Sequence, residues 1–149
     1  MVKFLTIALL MRLAGFYDVS IRLTMEDSIA IAVEDEDRRI TGRMDILAIN
    51  NPQSNVAPPF LVVVIETKNS AIELGEGLPQ LLTYAFKSLA QQPSVWGLVT
   101  NGLRYQFVYL RHEQQPNYQL MPLLNLNDSP GVIELLQVFK AICKLPNFQ

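Results

Sequence analysis

The stretch VVVIETKNS, residues 62–70, runs four β-branched residues into a carboxylate and then, past one threonine, into a lysine. Read with the two-residue period of a strand, Val62, Val64, Glu66 and Lys68 share one face, while Leu61, Val63, Ile65 and Thr67 share the other. Glu66 thus follows two valines on a face that reads as buried, where an ionised carboxylate is costly unless it is paired or bound to a metal. A second embedded acid, Asp45, lies in GRMDILAI (42–49), on the face of Leu47 and Ile49. The two runs are joined by the polar, proline-rich NNPQSNVAPP, a connection that suits antiparallel neighbours. Such a pairing brings Asp45, Glu66 and Lys68 together. Two adjacent carboxylates repel, and a divalent cation is the usual means of keeping both ionised; all-oxygen ligands point to Mg²⁺ or Mn²⁺. A Glu66–Lys68 ion pair at a solvated strand end is the plainer alternative.

The next element adds polar groups. In a helix over 78–91, Gln80, Tyr84, Lys87 and Gln91 form one stripe, with Leu78, Leu82, Ala85, Phe86 and Leu89 on the side expected to pack on a sheet. Gln80 and Tyr84 fall in the first turns after the acid-bearing strand, within reach of a substrate backbone. Lys87 and Gln91 read as a solvated face.

The elements that must hold these groups can be traced along the chain. A helix is expected over 3–14, with Phe4, Ala8, Leu9, Met11, Leu13 and Ala14 toward the core. Strands are expected near 20–24, 28–33, 40–49 and 60–68, the acidic turn EDEDRR preceding the third. After the 78–91 helix, SVWGLVT reads as a strand, Asn101-Gly102 as a two-residue hairpin turn and LRYQFVYL as its partner. Alternation puts Leu103, Tyr105, Phe107 and Tyr109 on one face, read as a hydrophobic sheet face, and Trp96 is read as core. A short strand near 118–123 and a closing helix over 131–144 complete an α/β chain: a mixed four- to six-stranded sheet flanked by helices.

Composition excludes several classes. The chain has 149 residues, half of them hydrophobic and 17% charged, which fits a single folded domain over 1–149. Its formal charge of −2 gives no global attraction to a polyanion. Six acids, Glu26, Asp27, Glu34, Asp35, Glu36 and Asp37, fall within twelve residues; without them the balance is 12 basic to 8 acidic, so a locally positive face is compatible with the total. The lone Cys143 rules out an internal disulfide, reads as a buried thiol and fits a reducing, cytoplasmic setting. The lone His112, beside Arg111 and Glu113, reads as solvated and leaves no material for a histidine metal site. The N-terminal apolar run is interrupted by Arg12 and reads as a core helix rather than a signal peptide, and no run is long enough to span a bilayer.

An acid in one strand, E-x-K at the end of the next and Q-x-x-x-Y opening a helix occur here as GRMD (42–45), VVVIETK (62–68) and QLLTY (80–84). This ordered set resembles the PD-(D/E)XK nuclease superfamily. More closely, it is similar to the N-terminal nuclease domain of type I restriction enzyme R subunits and to stand-alone bacterial, often cyanobacterial, relatives. GLPQLLTYAF and GLVTNGLRYQFVYL extend the likeness over roughly residues 15–144. The resemblance implies a restriction-endonuclease-like core and Mg²⁺- or Mn²⁺-dependent hydrolysis of DNA. Asp45, Glu66 and the Thr67 carbonyl would ligate the metal, and Lys68 would position the attacking water or stabilise the developing charge. Gln80 would hold the nucleophile or a phosphate, supported by Tyr84. DNA is the implied partner, a homodimer or a larger restriction-type complex the implied assembly, and restriction-type defence the implied setting. The family often carries a glutamate in its first helix; helix 3–14 has none, so that ligand is missing or the chain starts later than its relatives. That departure sustains a second reading, a catalytically silent nuclease-fold module for nucleic-acid binding or protein interaction. A third reading is a small structural protein with surface ion pairs.

Overall fold

A computed structural model describes residues 9–15, 22–35, 38–50, 60–67 and 74–144, with the backbone alone over 22–42 and at 50, 66 and 67. Four strands with near-continuous apolar sequence fix the centre: β2 (Arg38–Asn50), β3 (Phe60–Thr67), β4 (Ser94–Thr100) and β5 (Arg104–His112). On the flanks lie β1 (Arg22–Asp35), β6 (Pro116–Leu120) and the two-residue β7 (Leu124–Asn125). The sheet is mixed, in the order β1-β2-β3-β4-β5-β6, with β7 also beside β5. Among the described strands only β3 and β4 pair in parallel; the other pairs are antiparallel. The helices are α1, described over 9–14, α2 (Leu78–Ser88) and α3 (Ser129–Cys143).

Strands 20–24 and 28–33 prove to be one strand, β1, whose pairing with β2 slips between Met25 and Asp27. Glu26 is the extra residue of that bulge, which interrupts the two-residue period and makes one strand read as two. The acidic run is partly absorbed into the same pairing. Register sets Asp35 opposite Arg38 and Glu34 opposite Arg39 across the hairpin, where opposite charges favour pairing.

Both faces of the sheet are buried. Leu47, Ile49, Phe60, Val62, Val64, Leu98, Tyr105 and Phe107 meet Leu10, Met11 and Ala14 of α1 and Leu135, Phe139, Ile142 and Cys143 of α3. Phe139 sets its ring edge-on to Phe107, with centroids 5.3 Å apart. Met44, Ile46, Ala48, Leu61, Val63, Ile65, Val99, Val108 and Leu110 meet Leu81, Ala85 and Leu89 of α2 and its flank. Cys143 is buried as expected, and His112 is exposed. In α1 the buried set is Leu10, Met11 and Ala14, with Leu9 and Leu13 exposed; Phe4 and Ala8 lie outside the described residues. Trp96 is half-buried at the margin of the core and packs its ring, tilted by 42°, against that of Tyr109. Among the described residues no helix is long and apolar enough to cross a membrane.

The connection β3–α2–β4 is the parallel crossover. Gly77, just before α2, fits against β3 and β4 so closely that a Cβ would lie 2.8 Å from Val99 Cγ1 and 3.2 Å from Val63 Cγ1. Pro79, in the first turn, has a φ suited to a helix start and no N–H to leave unpaired. Further along, Leu81 drops onto Gly97 of β4, where a Cβ would lie 2.7 Å from Leu81 Cδ2. These two small residues bring the helix down onto the parallel pair. They also set its first turn over the C-terminal ends of β3 and β4.

Candidate active site

Asp45 sits mid-strand in β2, and its burial follows from neighbours on the same face, Leu47 and Ile49, that pack under α1 and α3. A row crosses the sheet at this level: Ser28 of β1, Asp45, Val64 of β3, Thr100 of β4 and Tyr105 of β5 stand opposite one another in turn. One step outward, Glu66 of β3 stands opposite Arg43 of β2, and Thr67, the last residue of β3, stands opposite Gly42. Asp45 and Glu66 are therefore diagonal neighbours on one face of an antiparallel pair, a relation that separates Cα atoms by roughly 7–8 Å. The side chains of Glu66 and Thr67, and all of Lys68, lie outside what the structure describes.

The carboxylate of Asp45 is held at one oxygen only. Arg43, two residues back on the same face, donates from Nη2 to Oδ2 at 2.9 Å. Oδ1 is buried and has no hydrogen-bond partner among the described residues. A buried carboxylate oxygen without a proton donor is a costly arrangement, and a cation is the ligand that would satisfy it. Asp45 thus fits an oxygen ligand of a hard divalent ion, with Glu66 and the Thr67 carbonyl on the neighbouring strand as the remaining donors. Among the described side chains no group of three His, Cys, Asp or Glu residues gathers.

Arg43 was missed in the sequence, although the same alternation that pairs Glu66 with Lys68 places it beside Asp45. It supplies a positive charge that the acid-only reading of the strand lacked. Its side chain is 54% exposed against 10% for Asp45, so the cation lies at the surface end of the pair and the anion at the buried end.

Gln80 and Tyr84 are both half-buried on α2. The helix covers the face opposite to Asp45, yet its first turn overlies the C-terminal ends of β3 and β4, at the end of the sheet where Glu66 and Thr67 emerge. Open α/β sheets bind ligands at that place, outside the carboxyl ends of parallel strands. The side expected to pack on the sheet is corrected: Leu81, Ala85, Ser88 and Leu89 are buried, Leu78 and Leu82 are half-buried at the margin, and Phe86 is exposed. Gln80 and Tyr84 therefore lie on the shoulder of the helix rather than on its outer face. Tyr84 packs against the α2-side core and has Lys87 Nζ 5.2 Å from its ring centroid, while Lys87 itself is exposed.

The Thr100-Asn101-Gly102 segment closes the same end of the sheet. The two-residue turn expected there is wider, because the last pair is Thr100 with Tyr105. Its polar groups are satisfied internally. Thr100 Oγ1 accepts from Gly102 N and donates to Arg104 O at 2.8 Å, and Asn101 Oδ1 accepts from the N–H groups of Leu103 and Arg104. Gly102, at φ 90, takes the left-handed conformation that an L side chain resists. Tyr105 donates its hydroxyl to Gly102 O at 3.0 Å. Burial pushes its phenol up to about 12, with a hydrogen bond to Thr100 opposing the shift. The segment is accounted for by turn structure, with no catalytic role required.

No protein-family model matches the chain, and no curated protein or solved structure matches it either.

Proposed function

We propose that the chain is a metal-dependent nuclease of restriction-endonuclease-like fold that hydrolyses DNA phosphodiester bonds at the C-terminal end of β3. The observation that carries this reading is the half-satisfied carboxylate of Asp45, buried on the face and at the diagonal position that also receive Glu66. The mixed sheet, with its single parallel crossover between β3 and β4, is compatible with such a core.

In this reading Asp45, Glu66 and the Thr67 carbonyl hold Mg²⁺ or Mn²⁺. The bound ion supplies Lewis acidity toward the phosphate and eases the deprotonation of water near neutral pH. The chain does the rest. Lys68, two residues beyond Glu66 on one alternation, orients the attacking water or offsets charge developing on the phosphoryl oxygens, an effect strengthened where water is excluded. Gln80, on the first turn of α2, holds the nucleophile or a phosphate oxygen, and Tyr84 one turn later braces it. The test is cleavage of supercoiled and single-stranded DNA with Mg²⁺ or Mn²⁺, repeated in EDTA. Cleavage that EDTA abolishes supports the nuclease; silence of folded protein on every substrate removes the reading for the chain alone.

A second reading is favoured by one contact. Arg43 already sets a cation against Asp45 at 2.9 Å, as a silent nuclease-fold module without a metal would require. Such a module predicts no heat of Mn²⁺ binding, and DNA or protein binding indifferent to EDTA.

A further inference from the structure

We propose that the chain pairs with a second copy of itself through β6, edge to edge and antiparallel, about a two-fold axis at Tyr118. The inference is independent of the nuclease reading. β6 ends the sheet on the side away from β1, and among the described residues no strand lies beyond it. Native sheets guard such edges with charge, bulges or cover. The opposite edge, β1, has a bulge and four acidic residues in its sequence. β6, of sequence PNYQL, has neither: it pairs with β5 without a break, all five of its residues are exposed and none is charged.

The pairing with β5 fixes which backbone groups face the free edge. Met121 N donates to Phe107 O at 2.9 Å, and the alternation of an antiparallel ladder then turns the N–H and C=O of Asn117 and Gln119 toward β5. Those of Tyr118 and Leu120, with the carbonyl of Pro116, turn outward. Set against a second copy about Tyr118, this pattern is its own complement. Each Tyr118 N–H meets the other copy's Tyr118 carbonyl, and each Leu120 N–H meets the other copy's Pro116 carbonyl. Pro116, which has no N–H to give, falls at the ends of the seam. The side chains match as well. Tyr118 and Leu120 share the face of Leu110 and Val108, which belong to the α2-side core, and are 46% and 47% exposed. In the pair, Tyr118 stands opposite Tyr118 and Leu120 opposite Pro116, while Asn117 stands opposite Gln119 on the other face. The strand is uncharged in both copies, so no like charges meet. Any extended strand satisfies the backbone; the match of side chains on both faces singles out a second β6.

The experiment is sedimentation equilibrium of the full chain up to about 1 mM, with amide hydrogen exchange at low and high protein concentration. The expected result is a weak dimer with Kd on the order of 10–100 µM, as suits a short seam. Exchange at Tyr118 and Leu120 should slow as the dimer forms, whereas Asn117 and Gln119, already bonded to β5, should be slow at both concentrations. Tyr118→Pro removes an outward N–H and no bond to β5. It should weaken the dimer roughly tenfold or more at a melting temperature close to wild type, the size of two lost hydrogen bonds. Leu120→Lys, which sets a guarding charge on the edge, should also weaken it. If Tyr118→Pro does not fold, Leu120→Lys is the deciding variant. A chain that stays monomeric to about 1 mM would overturn the pairing, whether or not another protein's strand adds to the edge. So would a dimer that folded variants leave intact, or one that leaves exchange at Tyr118 and Leu120 unchanged. Each of these results leaves the nuclease reading standing.

Discussion

At position 45 the chain puts a carboxylate where the pleat, set by Leu47 and Ile49, calls for an aliphatic side chain. Alternation alone marks Asp45 as an anomaly, because a period of two needs only a few residues to reveal the odd one. Its salt bridge was equally near at hand, two residues away in Arg43, yet the pull of Lys68 toward Glu66 drew the pairing to β3 instead. The unsatisfied Oδ1 was not legible, since it depends on what other strands and helices bring to the spot. Thr100 and Tyr105 show the same limit: TNG reads as a turn, but the cross-bracing by Thr100 Oγ1 appears only in three dimensions. Tyr105 gives a test at this scale. The folded chain holds the phenolic proton to about 12, above the ordinary value of 10. Between those values the unfolded chain has released its proton and the folded one has not, so stability present below pH 10 is lost as pH rises toward 12. The expected loss attributable to Tyr105 is about 1–2 kcal/mol by pH 12. Urea denaturation of wild type and Tyr105→Phe from pH 9 to 12 checks it; the phenylalanine protein should lose less.

At the scale of elements, the central strands and the helices after residue 74 stand where periodicity puts them, whereas the strands expected at 20–24 and 28–33 are one bulged strand and the one expected near 118–123 is divided into β6 and β7. On α2 the buried direction is turned by roughly 60° from the apolar stripe, at about 100° per residue. The reason lies on the partner surface. Gly97 and Gly77 open space on β4 and before α2, so the helix settles where its backbone approaches closest, and Leu81 fills the gap above Gly97. A helix read by itself cannot show where its sheet is hollow. Gly97→Ala should therefore destabilise the protein by about 1–3 kcal/mol through overpacking against Leu81. Leu81→Ala alone should also destabilise it, by about 2–5 kcal/mol. In the double variant the costs should fall short of additive, because the new methyl occupies space that the leucine vacates. Urea midpoints of the four proteins measure this; strict additivity would mean that Leu81 and Gly97 do not share the contact.

For the molecule as a whole, topology does most of the work of assembling the site. An antiparallel β2–β3 pair sets Asp45 and Glu66 on one diagonal, and the β3–α2–β4 crossover brings Gln80 to the same end of the sheet. The β2–β3 pairing was foreseeable from the polar connection between the two apolar runs, whereas the coverage of both faces by separate helices was only implied by those runs. Charge sets the second global property. With a net −2 and six acids within residues 26–37, the proposed nuclease would contact DNA through a few cations near the end of β3. The salt dependence of DNA binding should accordingly be shallow, with log K falling against log salt at a slope of roughly −2 to −3, about −0.9 per phosphate neutralised. Fluorescence anisotropy over a salt series would check this, and a slope several times steeper would require a basic surface beyond the site. The most direct test of the central claim is the rate of Mn²⁺-dependent nicking of supercoiled plasmid by wild type, Asp45→Asn and Lys68→Ala, all shown to be folded. The account predicts nicking by wild type that EDTA stops, and a loss of at least about a hundredfold in either variant, the scale of removing one charge-stabilising group. Variants that nick as fast as wild type would contradict it.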